Sequence, residues 1–248
     1  MIEKHLDIAT ADGAMNSFVV YPEEGGPHPV VLFYMDAPGK REELHDMARR
    51  LASVGYYVVL PNLYYRKARE FVLERRDEAG MAAMFALMNH LTNALVVRDT
   101  EAMLRFVDAQ PEADGKRVGA VGYCMSGPFV MAAAAAFPDR IKAIASIHGA
   151  NLVTDREDSA HLMAPRIRCE SYFACAETDK WAPREIVDKL AKAISDTLDA
   201  PATQARLRSL AVVPPTSERR TPAYLQTFIE SEIEKWAIVI KASGVKLD

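Results

Sequence analysis

The stretch Val118-Gly-Ala-Val-Gly-Tyr-Cys124-Met-Ser-Gly127 constrains this chain most: a β-branched strand runs into a sharp turn carrying a cysteine, and an alanine-rich helix follows at once. A strand-turn-helix elbow of this kind pushes one side chain out of a strained turn. It also leaves the next backbone N–H groups free to meet a developing oxyanion. The projected atom is the sulfur of Cys124. A lone cysteine elsewhere is commonly a small buried hydrophobe, and it is the flanking strand and helix that make Cys124 a candidate nucleophile.

Around the elbow, buried runs alternate with amphipathic ones. Lys4 to Ala9 and Ser17 to Tyr21, joined through Asp12-Gly13, read as an N-terminal hairpin. Five apolar runs read as central parallel strands: Val30 to Met35, Tyr56 to Leu60, Val118 to Gly122, Ile141 to Ile147 and Cys169 to Ala174. Arg41 to Ser53 places Leu44, Met47, Ala48 and Leu51 on one helical face, and Gly55 ends it. Residues 66 to 109 are helical in period, charged at first and then rich in Met and Ala. Gly127 to Ala136 reads as the helix after the elbow. Strands alternating with helices predict a mostly parallel sheet covered on both faces.

Composition narrows the function. With 248 residues, 50% of them apolar, the chain can bury one large core or two small ones. The net charge is −4 with both signs interspersed, which predicts no nucleic-acid or membrane partner and favours a small-molecule substrate. Three cysteines without a CxxC pair suggest free thiols in a reducing compartment. The start Met-Ile-Glu-Lys-His has no signal-like pattern, and the longest apolar run, Phe129 to Phe137, is too short to span a bilayer. A cytoplasmic location is therefore expected. No HxH or HExxH spacing occurs, so neither metal nor cofactor is expected. Oligomeric state is left open.

Several segments together resemble the dienelactone hydrolase family: Tyr34-Met-Asp36-Ala-Pro-Gly, Leu60-Pro-Asn-Leu-Tyr-Tyr-Arg66, Gly122-Tyr-Cys124-Met-Ser-Gly127, Phe137-Pro-Asp-Arg140, His148-Gly149, Asp158-Ser-Ala-His161 and Glu177-Thr-Asp179. They appear in family order over residues 1 to 183. The resemblance implies an α/β-hydrolase fold and hydrolysis of small lactones or carboxylic esters by a Cys-His-Asp triad. Cys124 would be the nucleophile, Asp179 the acid that orients the histidine, and Asp36 a carboxylate beside the resting thiol that holds or accepts its proton. The backbone N–H groups of Met125 and Ala37 would form the oxyanion hole. Arg66 and Arg98 would contact a substrate carboxylate. Ser126 stands where the family usually has glycine, and Pro128 where it usually has a longer polar residue. A small residue and a first-turn proline are both tolerated there.

The triad histidine is missing, since no histidine follows His161. Where a Gly-His-Gly-Phe-like loop is expected, the chain reads Val212-Val-Pro-Pro-Thr-Ser-Glu-Arg-Arg-Thr221. Asp179, without an imidazole between it and the sulfur, cannot do the activating work of a triad at close range. His148, at the carboxyl end of the strand after the elbow, is the candidate substitute base. Residues 184 to 248 instead resemble the C-terminal end of tricarboxylate-type periplasmic solute-binding proteins. This implies a gene fusion near Pro183 that brings helix, short strand and long helix without a binding site. In the last helix Thr221 caps and Pro222 opens, Leu225, Phe228, Ile229, Ile233, Trp236 and Ile240 form one stripe, and Gly244 ends it. Phe228, Ile233 and Trp236 are expected to pack on the hydrolase core. Two functions stay in competition: a cysteine hydrolase impaired by the missing imidazole, and a catalytically inactive member or fusion product acting as a binding or interaction protein.

Overall fold

The computed structural model describes residues 1–209 and 212–243, and divides into two units, Met1–Val187 and Asp188–Asp248. The first holds a seven-stranded sheet. Its strands are β1 (Ile2–Thr10), β2 (Gly13–Tyr21), β3 (His28–Tyr34), β4 (Tyr57–Pro61), β5 (Ala113–Tyr123), β6 (Ile141–Ile147) and β7 (Glu170–Ala174), in the order β1-β2-β4-β3-β5-β6-β7. β1 and β2 form the expected hairpin, with Thr10 opposite Gly13, and β2 pairs antiparallel with β4. All remaining pairings are parallel. The five central runs therefore form one parallel sheet, and β3 lies beside β5.

Helices cover it. In α1 (Glu42–Ser53), Leu44, Ala48 and Ala52 are buried on one face. α2 (Glu78–His90) begins at Asp77, whose side chain accepts the Gly80 N–H at 2.9 Å. α3 (Asn93–Asp108) begins at Thr92, which accepts from the Leu95 N–H at 3.2 Å, so both helix starts carry side-chain caps. α4 (Gly127–Ala136) is buried from Gly127 to Ala135, as befits the helix that leaves a central strand. The charged part of the 66–109 segment departs from the helical expectation. Residues 66–77 are irregular because their charges are drawn into ion pairs with other elements rather than arrayed on a helix face.

One such cluster fixes the sheet's hairpin edge. Asp99 of α3, with a fully buried side chain, accepts from both Nη atoms of Arg66 at 2.9 and 2.6 Å and from the Tyr65 hydroxyl at 2.9 Å. Arg66 and Arg98 both also donate to Asp12 in the β1–β2 turn, at 2.7 and 3.1 Å.

The second unit contains most of α5 (Arg184–Asp199), then α6 (Pro201–Ser209) and α7 (Pro222–Ser243). The short strand expected between its helices is not found among the described residues. Pro214 and Pro215 remove two ladder donors there, and Val213 is 89% exposed. Residues 210 and 211, the Ile240 side chain and Gly244 lie outside the described residues. Along α7, Phe228, Ile233 and Trp236, expected to be packed away, are 47%, 64% and 51% exposed. Among the described residues no single helix is long and apolar enough to cross a membrane.

Candidate active site

Cys124 follows β5 directly and has φ 54°, the left-handed backbone that a strand-to-helix elbow needs and that a non-glycine residue adopts only when its surroundings enforce it. The enforcement is visible on both sides. Ser126 is fully buried and its hydroxyl donates to the Met35 carbonyl at 2.5 Å, tying the elbow to the end of β3. The Ala150 N–H donates to the Cys124 carbonyl at 2.9 Å, tying it to the loop after β6. Gly127 is required at that contact: a Cβ there would approach the Gly149 Cα to 2.5 Å. Ser126, where the resemblance implied a glycine, is thus a cross-tie.

The backbone N–H groups of Met125 and Ala37 are among the groups that act on the Cys124 thiol. These are the two positions expected to form an oxyanion hole. Burial pushes the Cys124 thiol above its ordinary value. The Met125 N–H opposes this, the charges of Asp36 and then Asp179 add to it, and the Ala37 N–H pulls it down again. Both aspartates therefore act on the sulfur through space, from the ends of β3 and β7. The resting group is the protonated thiol.

Neither aspartate is free of partners. Arg41 donates to both carboxylate oxygens of Asp36, and its Nη1 also donates to the Gly39 carbonyl at 3.0 Å. Asp179 accepts the Trp181 N–H at 2.8 Å, a tight local turn. His148 has φ 41° and its N–H donates to the Ala174 carbonyl at 2.7 Å. Its exposed ring sits 6.1 Å from that of Tyr123. His161 is held by Ser159, Nδ1 to Oγ at 2.8 Å. Arg66 and Arg98 belong to the Asp12 and Asp99 cluster, Arg66 through three bonds and Arg98 through one bond to Asp12. The reason is spatial: residue 66 lies beside the hairpin turn and α3, where carboxylates meet it first.

Two contributors escaped sequence reading. The Tyr64 hydroxyl, 2% exposed, donates to the Ala37 carbonyl at 2.8 Å and lies 3.3 Å from the Met125 sulfur, so it links Ala37 and Met125, the two residues expected to supply oxyanion donors. Burial, Asp36 and Cys124 all push its ionisation upward, which keeps it a hydroxyl donor. Its only sequence signal is its place in the Leu60 to Arg66 segment. Arg41 had no signal beyond following Asp36 by five residues.

A cleft of about 420 Å³ opens beside the elbow. Met88, Leu91, Met125, Pro128 and Phe129 give it an apolar side; Asn89, Asn151, Thr154, Arg156 and Asp158 give it a polar one. Among the described residues no group of three His, Cys, Asp or Glu side chains is placed to hold a metal.

A mostly parallel sheet with a left-handed strand-to-helix elbow at the end of a central strand and helices on its faces defines an α/β-hydrolase-fold protein. The dienelactone hydrolase family model matches residues 15–201, and the chain belongs to that family. The match runs past Pro183. The carboxymethylenebutenolidase of Pseudomonas putida is 30% identical over 141 residues, 56% of this chain and 59% of that protein. The carboxymethylenebutenolidase homolog of Mus musculus is 30% identical over 151 residues, 60% of this chain and 55% of that one. The chain spans about half the length of the curated relatives it matches. Among solved structures, a provisionally named dienelactone hydrolase of Klebsiella pneumoniae superposes with TM-score 0.71 at 22% identity, covering 79% of this chain and 81% of that one. A dienelactone hydrolase-like promiscuous phosphotriesterase from metagenomic libraries gives 0.64 at 22%, covering 82% and 77%. At that identity the likeness speaks for the fold.

Proposed function

We propose that this chain is a cysteine hydrolase of small lactones or carboxylic esters, slowed by the absence of a triad imidazole. The observation that carries the reading is the left-handed Cys124 at the end of β5, in an elbow tied to Met35 by Ser126 and to Ala150 by its own carbonyl. The sulfur gives up its proton to Asp36 and attacks the acyl carbon. The oxyanion gathers between the Met125 and Ala37 N–H groups and collapses as the alkoxide leaves, taking up that proton, and water then hydrolyses the thioester. Asp179 has no imidazole to orient, and the nearby carboxylates favour the thiol over the thiolate. Turnover is therefore expected about three orders of magnitude or more below that of an intact triad. In this reading the tail after residue 201, where the family match ends, stands in place of the segment that would have carried the histidine.

The test is hydrolysis of p-nitrophenyl acetate with acid-quench mass spectrometry of the Val118–Arg140 tryptic peptide, which holds Cys124 as its single cysteine. An acetylated peptide in the wild type, and loss of turnover in Cys124→Ala but not in His148→Ala, is expected. Rates equal to those of an intact-triad enzyme, or full turnover without the thiol, would sink the reading. The missing histidine favours a second reading, an inactive member that binds rather than hydrolyses. Absence of both acetylated peptide and turnover would select it.

A further inference from the structure

Three rings join the β1–β2 hairpin to α1. His5 of β1 and Phe18 of β2 are opposite partners in the hairpin register, with ring centroids 5.1 Å apart. The His45 ring of α1 lies 4.3 Å from Phe18 and meets His5 edge-on at 5.4 Å. His45 is 8% exposed. Its Nδ1 lies 3.0 Å from Glu42 Oε2, and a carboxylate only accepts, so Nδ1 carries the proton of the neutral ring. Nε2 is buried and has no hydrogen-bond partner. A second proton on His45 must therefore sit on an atom without an acceptor, inside the contact between hairpin and helix.

The charges around the ring supply no relief. Glu42 is already engaged at Nδ1. Arg49 binds Glu42, Asp46 and Glu3 of β1, and its guanidinium lies 5.5 Å over the same Phe18 ring. Lys40, just before the helix, and His5 both oppose a positive His45. β2 and β4, against which α1 packs, carry no Asp, Glu, Lys, Arg or His, and their titratable side chains are the phenols of Tyr21 and Tyr57.

We propose that the β1–β2 hairpin and α1 form an acid-sensitive latch, closed while His45 is neutral and opened locally when the ring takes up a second proton. Burial holds the His45 ring below its ordinary value, against the pull of Glu42. The opened form thus binds the proton more readily than the closed one. The stability of the latch is full above about pH 6.5 and is lost as pH falls from there toward the lowered value of the closed form.

Hydrogen exchange of the full chain tests this, read as protection factors so that the chemical exchange rate at each pH cancels. Protection in β1 and α1 is expected to fall about tenfold between pH 7.5 and pH 5.5, the factor by which an ordinary histidine in the opened form draws the equilibrium, while β5 and β6 change little. His45→Met keeps an apolar side chain on Phe18 and cannot titrate, so it is expected to abolish the fall. Should that variant not fold, nitrogen NMR of the wild-type histidine rings serves instead. The His45 ring, recognised by its contacts to Phe18, is expected to stay in the neutral Nδ1–H form at pH 6, where an ordinary histidine is mostly charged. Unchanged wild-type protection, an equal fall in β5 and β6, a fall that persists in His45→Met, or a charged His45 ring in the folded chain at pH 6 would overturn the latch.

Discussion

Arg41 holds Asp36 by both carboxylate oxygens, Nη1 to Oδ1 at 2.5 Å and Nη2 to Oδ2 at 3.0 Å, with the two side chains 21% and 17% exposed. A bidentate guanidinium pair is directional as well as charged. It fixes the Asp36 carboxylate beside the thiol and leaves only the lone pairs facing away from Arg41 for other donors.

Asp36→Asn removes one of the charges that push the Cys124 thiol up and leaves Arg41 positive nearby. Both changes favour the thiolate. The midpoint of iodoacetamide alkylation at Cys124 is expected to move to lower pH by about one unit. An unmoved or raised midpoint would show that Asp36 does not govern the thiol.

Tyr64→Phe removes the hydroxyl that links the Ala37 carbonyl to the Met125 sulfur, and leaves that carbonyl buried without its donor. The expected cost is about 1 kcal/mol of stability. Residual ester turnover should lose several-fold in kcat with KM nearly constant, since the donors matter most once the oxyanion forms. A change confined to KM would place Tyr64 in substrate binding instead.

Asp99→Ala leaves Arg66 nearly buried, with only Asp12 to balance it. Breaking a buried ion pair from one side costs about 3 to 5 kcal/mol, so the urea midpoint should fall sharply. Desolvation pushes the Asp99 carboxyl upward while Arg66 pulls it down. A loss below about 1 kcal/mol would mean that the Asp12 contact alone carries Arg66.

Acid stability should depend on Arg49. Its guanidinium holds Glu3 of β1 and Glu42 of α1 at 2.9 and 2.6 Å, and both carboxyls lie below their ordinary values, chiefly through these bonds. The folded state therefore binds fewer protons than the unfolded state as pH falls through the ordinary carboxylate range. That stability is present above about pH 4.5 and is lost on further acidification. Arg49→Ala is expected to lower stability at pH 7 and to flatten the loss between about pH 5 and pH 3. Urea midpoints at stepped pH measure both, and an unchanged acid slope would contradict the assignment.

The elbow and the parallel sheet were legible in the sequence because their determinants are local. β-branched runs, glycines at 122 and 127 and a buried alanine helix leave few other ways to place residues 118 to 136. The start of α2 was misread because Arg66 to Glu78 carries helical periodicity, while its charges find partners in the hairpin, β1 and α3. The expected strand after α6 failed at Pro214-Pro215, where the missing donors outweigh the valines before them.

The sequence by itself determined the class of fold, the thiol at the elbow and the lack of a histidine after His161, since each depends on residue identity and short-range pattern. Only the tertiary structure decided which charges are available. Asp36 meets Arg41, Arg156 meets Asp158, and Arg66 is held by residues 33 and 54 positions away. Guanidinium groups bind whichever carboxylates the folded backbone brings within reach, and hydrophobic periodicity places the backbone without recording those encounters.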